Sequence, residues 1–412
     1  MSSKKRVAIL HYSYPPVIGG VEFVMREQAK VLVKNGCRVK IITGVGENRD
    51  KGILIELIPE IGSTGLENRV VSKELEDGIV SERFQKLKEV VYQKVKHSLR
   101  EVDICMIHNV MTMHFNLALT SALNEIVDEL HQRVKFYFWC HDATLINPDY
   151  KIEESCRYPY SLLGKFNQNA TYIAISGWRK EQLSQLFGIS EGLIRVIPNG
   201  IDIKSFLRIS DPIWKMASQE KIFDEDLVML FPSRIVKRKN YELAIKITGE
   251  MVASGKRCKL LVTAPFDPHN SSSRGYHNYL QSLIKKMGLE KYVLFLDDLK
   301  DKYELEIGYH QLGDLYKICD LLLITSSQEG FGIPLLEAAA MKMPIACTRI
   351  PALSEIAKDK ALFFEPNENP SDVAQKILNY LKTQPTYSMF RRVISRFSWE
   401  IIYRDYLRSL ID

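Results

Sequence analysis

The stretch EGFGIPLLEA, Glu329–Ala338, sets two glutamates eight residues apart around a glycine turn that leads into an apolar helix. Gly330 and Gly332 carry no Cβ, so the backbone can turn tightly there and come close to a ligand. Pro334 suits the first helical turn, where its missing N–H costs nothing. The N–H groups of Phe331, Gly332 and Ile333 then point out of a helix N-terminus, a geometry and a dipole that favour an anion. An ordinary strand-to-helix turn has the same outline, so the carboxylates decide. Glu337 falls in the first turn of a helix whose other residues are small or apolar. The expectation is a buried helix, in which a carboxylate needs hydrogen-bond donors such as ribose hydroxyls; the competing reading is a favourable helix-dipole contact. Glu329 would repel a phosphate and suits sugar hydroxyls, or else is a solvated loop charge.

A second group points to the same ligand. LFPSRIVKRKN places Arg234 and Lys239 just beyond a strand. Arg suits bidentate phosphate contact and Lys point-charge contact. Two cations at one strand end and an anion-ready helix at another converge on a diphosphate. Lys237 and Arg238 add charge or are simply solvated. In the first half, PPVIGGVEF joins a strand to a helix, and Gly19 and Gly20 either allow close backbone approach or serve a loop that needs positive φ. His141 and Asp142 end the strand VKFYFWC, and open α/β sheets bind ligands at the carboxyl ends of their strands. His108 and His114 bracket the end of ICMIH, where packed or capping histidines are the preferred reading. Ser176 reads as a helix N-cap. Asp224–Glu225–Asp226 precedes a strand, at the wrong end for a site, and reads as surface charge.

The elements that must position these groups alternate regularly. Strands are expected at 7–11, 38–43, 104–108, 134–140, 172–176 and 194–197, with helices at 20–35, 83–99, 116–132 and 177–187. The pattern restarts with strands at 227–232, 259–263, 292–296, 321–325, 344–347 and 361–364, separated by helices at 241–254, 277–287, 312–319, 334–342 and 371–382. Near-continuous apolar strands alternating with helices indicate parallel sheets covered on both faces. Two doubly wound α/β domains follow, 1–203 with a returning segment 390–412, and 204–389. Residues 266–276 read as a polar loop.

Composition narrows the class. The chain has 412 residues, 46% of them hydrophobic, and a formal net charge of +6. No basic run is interleaved with aromatics, so nucleic acid is not an expected partner. Seven cysteines, widely spaced and without CxxC, argue against a disulfide framework and a cysteine zinc site and for a reduced, cytoplasmic protein. No stretch is long and apolar enough to span a bilayer. FQKLKEVVYQKVKHSLR, 84–100, is basic and amphipathic; it reads best as a helix whose apolar stripe covers the sheet, with weak peripheral membrane contact left open.

Four motifs now stand in one order: PPVIGGVE at 15–22, VIPNGID at 196–202, Arg234 with Lys239, and Glu-x7-Glu within EGFGIPLLEA. Together they resemble the GT-B retaining, nucleotide-sugar glycosyltransferases of family 4 over nearly the whole chain. The resemblance implies two Rossmann-like domains facing a central cleft, with the helix at 397–410 returning to the first. It implies that Arg234 and Lys239 hold the donor diphosphate, Glu329 meets the donor sugar and Glu337 the ribose. Gly330, Phe331, Gly332 and Ile333 would surround the donor, Gly19 and Gly20 would lie against phosphates or acceptor, and His141 would touch the transferred sugar. The implied reaction moves glucose or mannose from a UDP- or GDP-sugar to a hydroxyl of a small or glycan acceptor, on the face the diphosphate leaves, with no cofactor and no metal. His141, Glu329, Arg234 and Lys239 are the implied catalytic group. WCHDATLINPDYK and TAPFDPHNSSS resemble a small-acceptor, mannosylglucosylglycerate synthase-like subgroup. The stretch 296–310 is longer than the family's usual connection and leaves uridine versus guanosine open. An epimerase of the same fold, a membrane-associated transferase using a lipid-linked acceptor, and a non-catalytic nucleotide-sugar binder are the alternatives.

Overall fold

The computed structural model describes residues 4–47, 50–152, 155–263 and 273–412. The chain forms two compact units, Met1–Asp202 with Phe397–Asp412, and Ile203–Arg396.

The first unit is built on seven parallel strands: β1 (Arg6–Ser13), β2 (Arg38–Val45), β3 (Ile53–Leu57), β4 (Ile104–His108), β5 (Lys135–Cys140), β6 (Thr171–Ala174) and β7 (Ile194–Val196). Their order in the sheet is β3-β2-β1-β4-β5-β6-β7. Successive side chains of a strand point to opposite faces, and both faces are dry. Ala8 and Leu10 of β1 join one core, with Phe84, Val91 and Val95 of the helix Glu82–Ser98. Val7 and Ile9 join the other, with Met25 and Leu32 of the helix Gly20–Lys34. The helix Glu82–Ser98 thus turns its apolar stripe to the sheet. Its Lys88, Lys94 and Lys96 reach Glu125, Glu60 and Glu129 at 2.8, 2.5 and 2.6 Å.

The last residues complete the second of these cores. Trp399, Ile402, Leu407, Leu410 and Ile411 pack into it, and the Tyr137 hydroxyl donates to the Leu410 carbonyl at 2.9 Å. This return begins at Phe397, whose carbonyl accepts from Ile201 N–H at 2.7 Å. Residues 390–396, expected to return with it, stay with the second unit. The physical reason is Arg391, whose guanidinium binds the buried Asp320 carboxylate at 2.6 Å and the Glu225 carbonyl at 3.1 Å.

The second unit carries β8 (Leu227–Phe231), β9 (Cys258–Val262), β10 (Val293–Phe295), β11 (Leu321–Ile324), β12 (Ile345–Thr348) and β13 (Leu362–Phe364), in the order β10-β9-β8-β11-β12-β13. Here too alternate residues of β8 feed two cores, Leu227, Met229 and Phe231 on one face and Val228 and Leu230 on the other. In each sheet the strand order reverses once, between β1 and β4 and between β8 and β11. Connections leave those neighbouring strands toward opposite faces, which opens a crevice at their carboxyl ends.

Several elements lie outside the expected set. β3 is a sheet edge with only Ile53 fully buried, and the helix Leu66–Glu76 buries just Asn68, Val71 and Leu75. Helices at Asp211–Gln219, Pro351–Ala357 and Pro385–Phe397 were likewise too short or too polar to announce themselves. The loop expected at 266–276 lies largely outside the described residues; from Ser273 onward the chain is already helical, anchored by buried Tyr276 and Leu280.

Arg391→Ala should leave the Asp320 carboxylate buried without its cation. A loss of about 3–5 kcal/mol is expected, measured by denaturant unfolding; a change below about 1 kcal/mol would contradict this role of the pair.

Candidate active site

In the second unit, the two connections at the switch point are stapled together. After β8 the chain runs through Arg234 to a single 3-10 turn, Lys237–Lys239, and Asn240 enters the left-handed region at φ 53° before the helix Tyr241–Ala253. Thr325, just past β11, donates its hydroxyl to the carbonyls of Lys239 and Asn240 at 2.9 and 2.8 Å. Ser327 N–H donates to the Arg238 carbonyl at 2.8 Å, and Arg238 returns a bond to the Gln328 carbonyl at 3.0 Å.

This brings three of the expected residues to one place. Lys239 Nζ lies 2.5 Å from Glu329 Oε1, and Ser326 Oγ donates to the same oxygen at 2.6 Å. Arg238 reaches Glu329 Oε2 at 3.2 Å. Burial opposes ionisation of Glu329, but the bonds from Lys239 and Ser326 and the charges of Lys239 and Arg238 outweigh it and hold the carboxyl below its ordinary range. Glu329 is therefore neither a solvated loop charge nor distant from the cations. Lys239 is half-buried rather than exposed, and Arg238 belongs to the cluster. Arg234 sits exposed at the same strand end.

The turn after Glu329 is built differently from the expectation. Gly332 alone needs its glycine: it is the helix N-cap at φ 109°, and a Cβ there would lie 2.6 Å from Leu353. Gly330 has open space around its Cβ position and no positive φ. The helix Ile333–Ala340 is not buried; Phe331, Ile333 and Leu336 are 56%, 62% and 45% exposed, and only Leu335 and Ala338 are fully covered. Glu337 lies in its second turn, half-buried, and accepts from the Tyr316 hydroxyl at 2.8 Å. The donor that satisfies it is thus a protein phenol, with one carboxylate oxygen to spare. At the start of this helix Pro334 has no N–H and Leu335 N–H already donates to the Gly332 carbonyl at 2.9 Å, which leaves the Ile333 N–H outside the intrahelical pattern.

In the first unit, polar groups gather where β1, β4 and β5 end. His141 Nε2 is 3.0 Å from His108 Nδ1, and His108 Nε2 is 3.0 Å from Gln28 Oε1. His11 Nδ1 lies 2.9 Å from the His108 carbonyl, and its Nε2 is 3.9 Å from Glu22. Ser13 Oγ donates to Glu22 Oε1 at 2.6 Å. Burial pushes His141 down to about 3, with the charges of His11 and Arg179 adding to the effect, and burial likewise holds His108 and His11 below their usual range. All three rings are neutral at pH 7. Asp142 is held by Arg179 at 3.1 Å and by Asn147 at 2.7 Å.

Gly19 and Gly20 do not serve a positive-φ loop. Gly19 is extended at φ −167°, and its missing side chain leaves room for Glu22, whose carboxylate would lie 2.1 Å from a Cβ. Gly20 begins the helix in open space. Glu22, Gln28 and Asn109 escaped the sequence reading; a glutamate directly after GGV was the one available signal. His114 bonds Thr144 at 2.8 Å and packs on Phe115 and Tyr150, as a structural histidine. Ser176 caps the helix Gly177–Phe187 through Arg179 N–H at 3.1 Å. Of the acidic triplet, Asp226 pairs with Arg257 at 2.7 Å and Glu225 with Lys259 at 3.5 Å.

Two outcomes follow from this geometry. Gly332→Ala should destabilise the second unit by about 1–3 kcal/mol through strain and the Leu353 clash, whereas Gly330→Ala should leave the melting temperature unchanged; equal effects would contradict the assignment. For His141, whose ordinary value is 6.5 and folded value about 3, the unfolded chain binds more protons between those values. Stability therefore rises with pH through that window and is lost as pH falls below about 6.5, by up to about 1.4 kcal/mol per pH unit. His141→Asn should flatten the stability-versus-pH curve between pH 6.5 and 5; an unchanged slope would show that His141 is not the buried neutral group.

Residues 18–205 match the model of the family described as Glycosyltransferase Family 4, and residues 212–394 match that described as Glycosyl transferases group 1. An uncharacterized glycosyltransferase of Methanocaldococcus jannaschii is 22% identical over 97% of this chain and 96% of its own. The mannosylglucosylglycerate synthase of Thermotoga maritima is 23% identical over 82% of this chain and 79% of its own. Other relatives are matched over about half their length, such as the mannosylfructose-phosphate synthase of Agrobacterium fabrum, 25% identical over 57% of this chain and 51% of its own. The solved structure of Anabaena Alr3699/HepE in complex with UDP and glucose is 19% identical and covers 98% of both chains, at a TM-score of 0.38, too low to carry weight for fold or function. With each unit matched by a glycosyltransferase model and each built on a Rossmann-like parallel sheet, the chain belongs to the family 4 (group 1) glycosyltransferases of the GT-B class.

Proposed function

We propose that the protein transfers a hexose, glucose or mannose, from a UDP- or GDP-sugar to a hydroxyl of a small or glycan acceptor, with retention at the anomeric carbon. The observation that carries this reading is the cluster of Lys239, Arg238 and Glu329 beside Arg234 at the carboxyl ends of β8 and β11. A diphosphate needs cations, and a sugar needs hydrogen-bond acceptors; this cluster offers both within one side chain's reach.

In this reading Arg234 and Lys239 grip the diphosphate, and the N-terminus of Ile333–Ala340, with Gly330, Phe331, Gly332 and Ile333, takes part of its charge. Glu329 accepts from hydroxyls of the donor sugar and Glu337 from the ribose. His141 meets the transferred sugar, and Gly19 and Gly20 lie against the phosphates or the acceptor. The bond from the anomeric carbon to the diphosphate oxygen breaks as the bond to the acceptor oxygen forms, and the acceptor proton passes to the departing phosphate oxygen. The positive field that stabilises the leaving group supplies the catalysis, so the reaction as proposed requires neither metal nor cofactor. Relatives named mannosylglucosylglycerate synthase favour a small acceptor bearing free hydroxyls. Among the described residues no helix is long and apolar enough to cross a membrane, and all seven cysteines are free; both suit a cytoplasmic enzyme.

A thermal-shift screen of UDP- and GDP-sugars, followed by an acceptor screen with the best donor, tests the proposal. Stabilisation by a nucleotide sugar and acceptor-dependent release of nucleoside diphosphate are expected. Donor consumption that ignores every acceptor would favour an epimerase or hydrolase. Lys239→Ala should lower the transfer rate about 100-fold or more with the fold intact; unchanged turnover would remove Lys239 from the mechanism.

A further inference from the structure

His108 and Asn109 end β4 side by side, and both act on His141 at the end of the neighbouring strand. Asn109 adopts the left-handed region at φ 60°, a conformation asparagine tolerates better than most residues. Its N–H donates to the Trp139 carbonyl at 2.9 Å, continuing the β4–β5 ladder by one bond. Its side-chain oxygen then accepts from the backbone N–H groups of His141 and Asp142 at 2.8 and 3.1 Å. The backbone that carries His141 is thereby fixed by one amide. The ring is fixed by the other residue. His108 is fully buried, stacked on Trp139 at a centroid distance of 5.3 Å, and bonded to His141.

The direction of that last bond follows from what lies behind it. Gln28 presents its carbonyl oxygen to His108 Nε2 at 3.0 Å, so Nε2 carries the hydrogen. A neutral imidazole bears only one, which makes His108 Nδ1 an acceptor. His141 Nε2, 3.0 Å away, must then donate, and its single hydrogen is committed. The partner that each nitrogen meets dictates where the hydrogens lie. His141 Nδ1 is left with a lone pair.

We propose, on the glycosyl-transfer reading above, that His108 and Asn109 are positioning residues that hold His141 in one backbone direction and one ring tautomer, so that it meets the sugar through an unprotonated Nδ1. His141 then acts as a hydrogen-bond acceptor for a sugar hydroxyl and not as a proton donor. The role of Gln28 is to set the tautomer from a distance, as second partners of ring nitrogens do elsewhere. The other titratable and charged groups around His141 are His11, which faces Glu22 at 3.9 Å, and the adjacent Asp142 with Arg179, paired with each other at 3.1 Å.

Two substitutions of His108 separate this role from packing. In His108→Asn the amide oxygen takes the place of Nδ1 and keeps the acceptor, at the cost of a gap beside Trp139. In His108→Phe the stacked ring stays and the acceptor goes. The two measurements are the 15N spectrum of the His141 imidazole from pH 8 to 5, and the rate of hydrolysis or transfer with UDP-glucose or GDP-mannose as probe. The wild-type protein and His108→Asn should show one neutral tautomer with the hydrogen on Nε2, and rates within a few-fold of each other. His108→Phe should show mixed tautomers that titrate closer to the ordinary histidine value, and a rate lower by about 10- to 100-fold, with UDP affinity unchanged. The reverse order, Phe benign and Asn damaging, or a His141 tautomer indifferent to both, would overturn the proposal. If His108→Phe does not fold, Gln28→Met removes the acceptor behind His108 and must release the same tautomer. Should the wild-type protein turn over neither probe, the transfer reading loses its support while the spectra still decide the positioning role.

Discussion

A strand buried on both faces can offer a polar side chain only where it stops. The strands at the two reversals obey this constraint: Val7 to Leu10, Cys105 to Ile107 and Leu227 to Leu230 sit in dry cores on either side. An unpaired polar group among them would cost several kcal/mol. Chemistry is therefore displaced to the ends, and sheet order selects which ends. At the reversal between β8 and β11 the chain gathers Arg234, Lys239 and Glu329; at the reversal between β1 and β4, with β5 alongside, it gathers His11, His108 and His141.

The two constellations handle polarity in opposite ways. In the second unit, charge is met by charge: Glu329 is ionised because Lys239, Arg238 and Ser326 together outweigh its burial. The pair is also the reason these groups are adaptable. On the proposed reading, Lys239 and Arg238 exchange the Glu329 carboxylate for a phosphate, and Glu329 exchanges its cations for sugar hydroxyls. In the first unit, burial strips the charge from three histidines, and directed hydrogen bonds replace it. Such a cluster has less freedom. It fixes geometry, because each neutral ring has one donor and one acceptor to place.

The fold was legible from periodicity where the strands are central and apolar. VAILH, ICMIH, LVMLF and LLLIT each appear where expected, within a residue or two of their ends. It was not legible at β3 or in the helix Leu66–Glu76, because an edge element buries too few residues to print a pattern. At the site, the charged residues were visible because charge next to a strand end is conspicuous. What escaped were neutral groups whose role lies in direction, such as Gln28 and Asn109, and the partition of labour between the glycines. Gly330 and Gly332 look alike in sequence, yet only one takes a left-handed conformation. The exposure of Ile333 and Leu336 was missed for a related reason: an apolar helix reads as buried whether or not anything covers it.

The final sixteen residues have a consequence for biogenesis. Trp399, Ile402, Leu407, Leu410 and Ile411 complete one of the two cores of the first unit, so that core is still incomplete when residue 202 leaves the ribosome. The second unit, Ile203–Arg396, is contiguous and can consolidate first, although it is synthesised later. Domains of most chains mature in the order of translation; here part of one core of the amino-terminal half waits for residues 399–411, although the helix Gly20–Lys34 already covers part of the same sheet face.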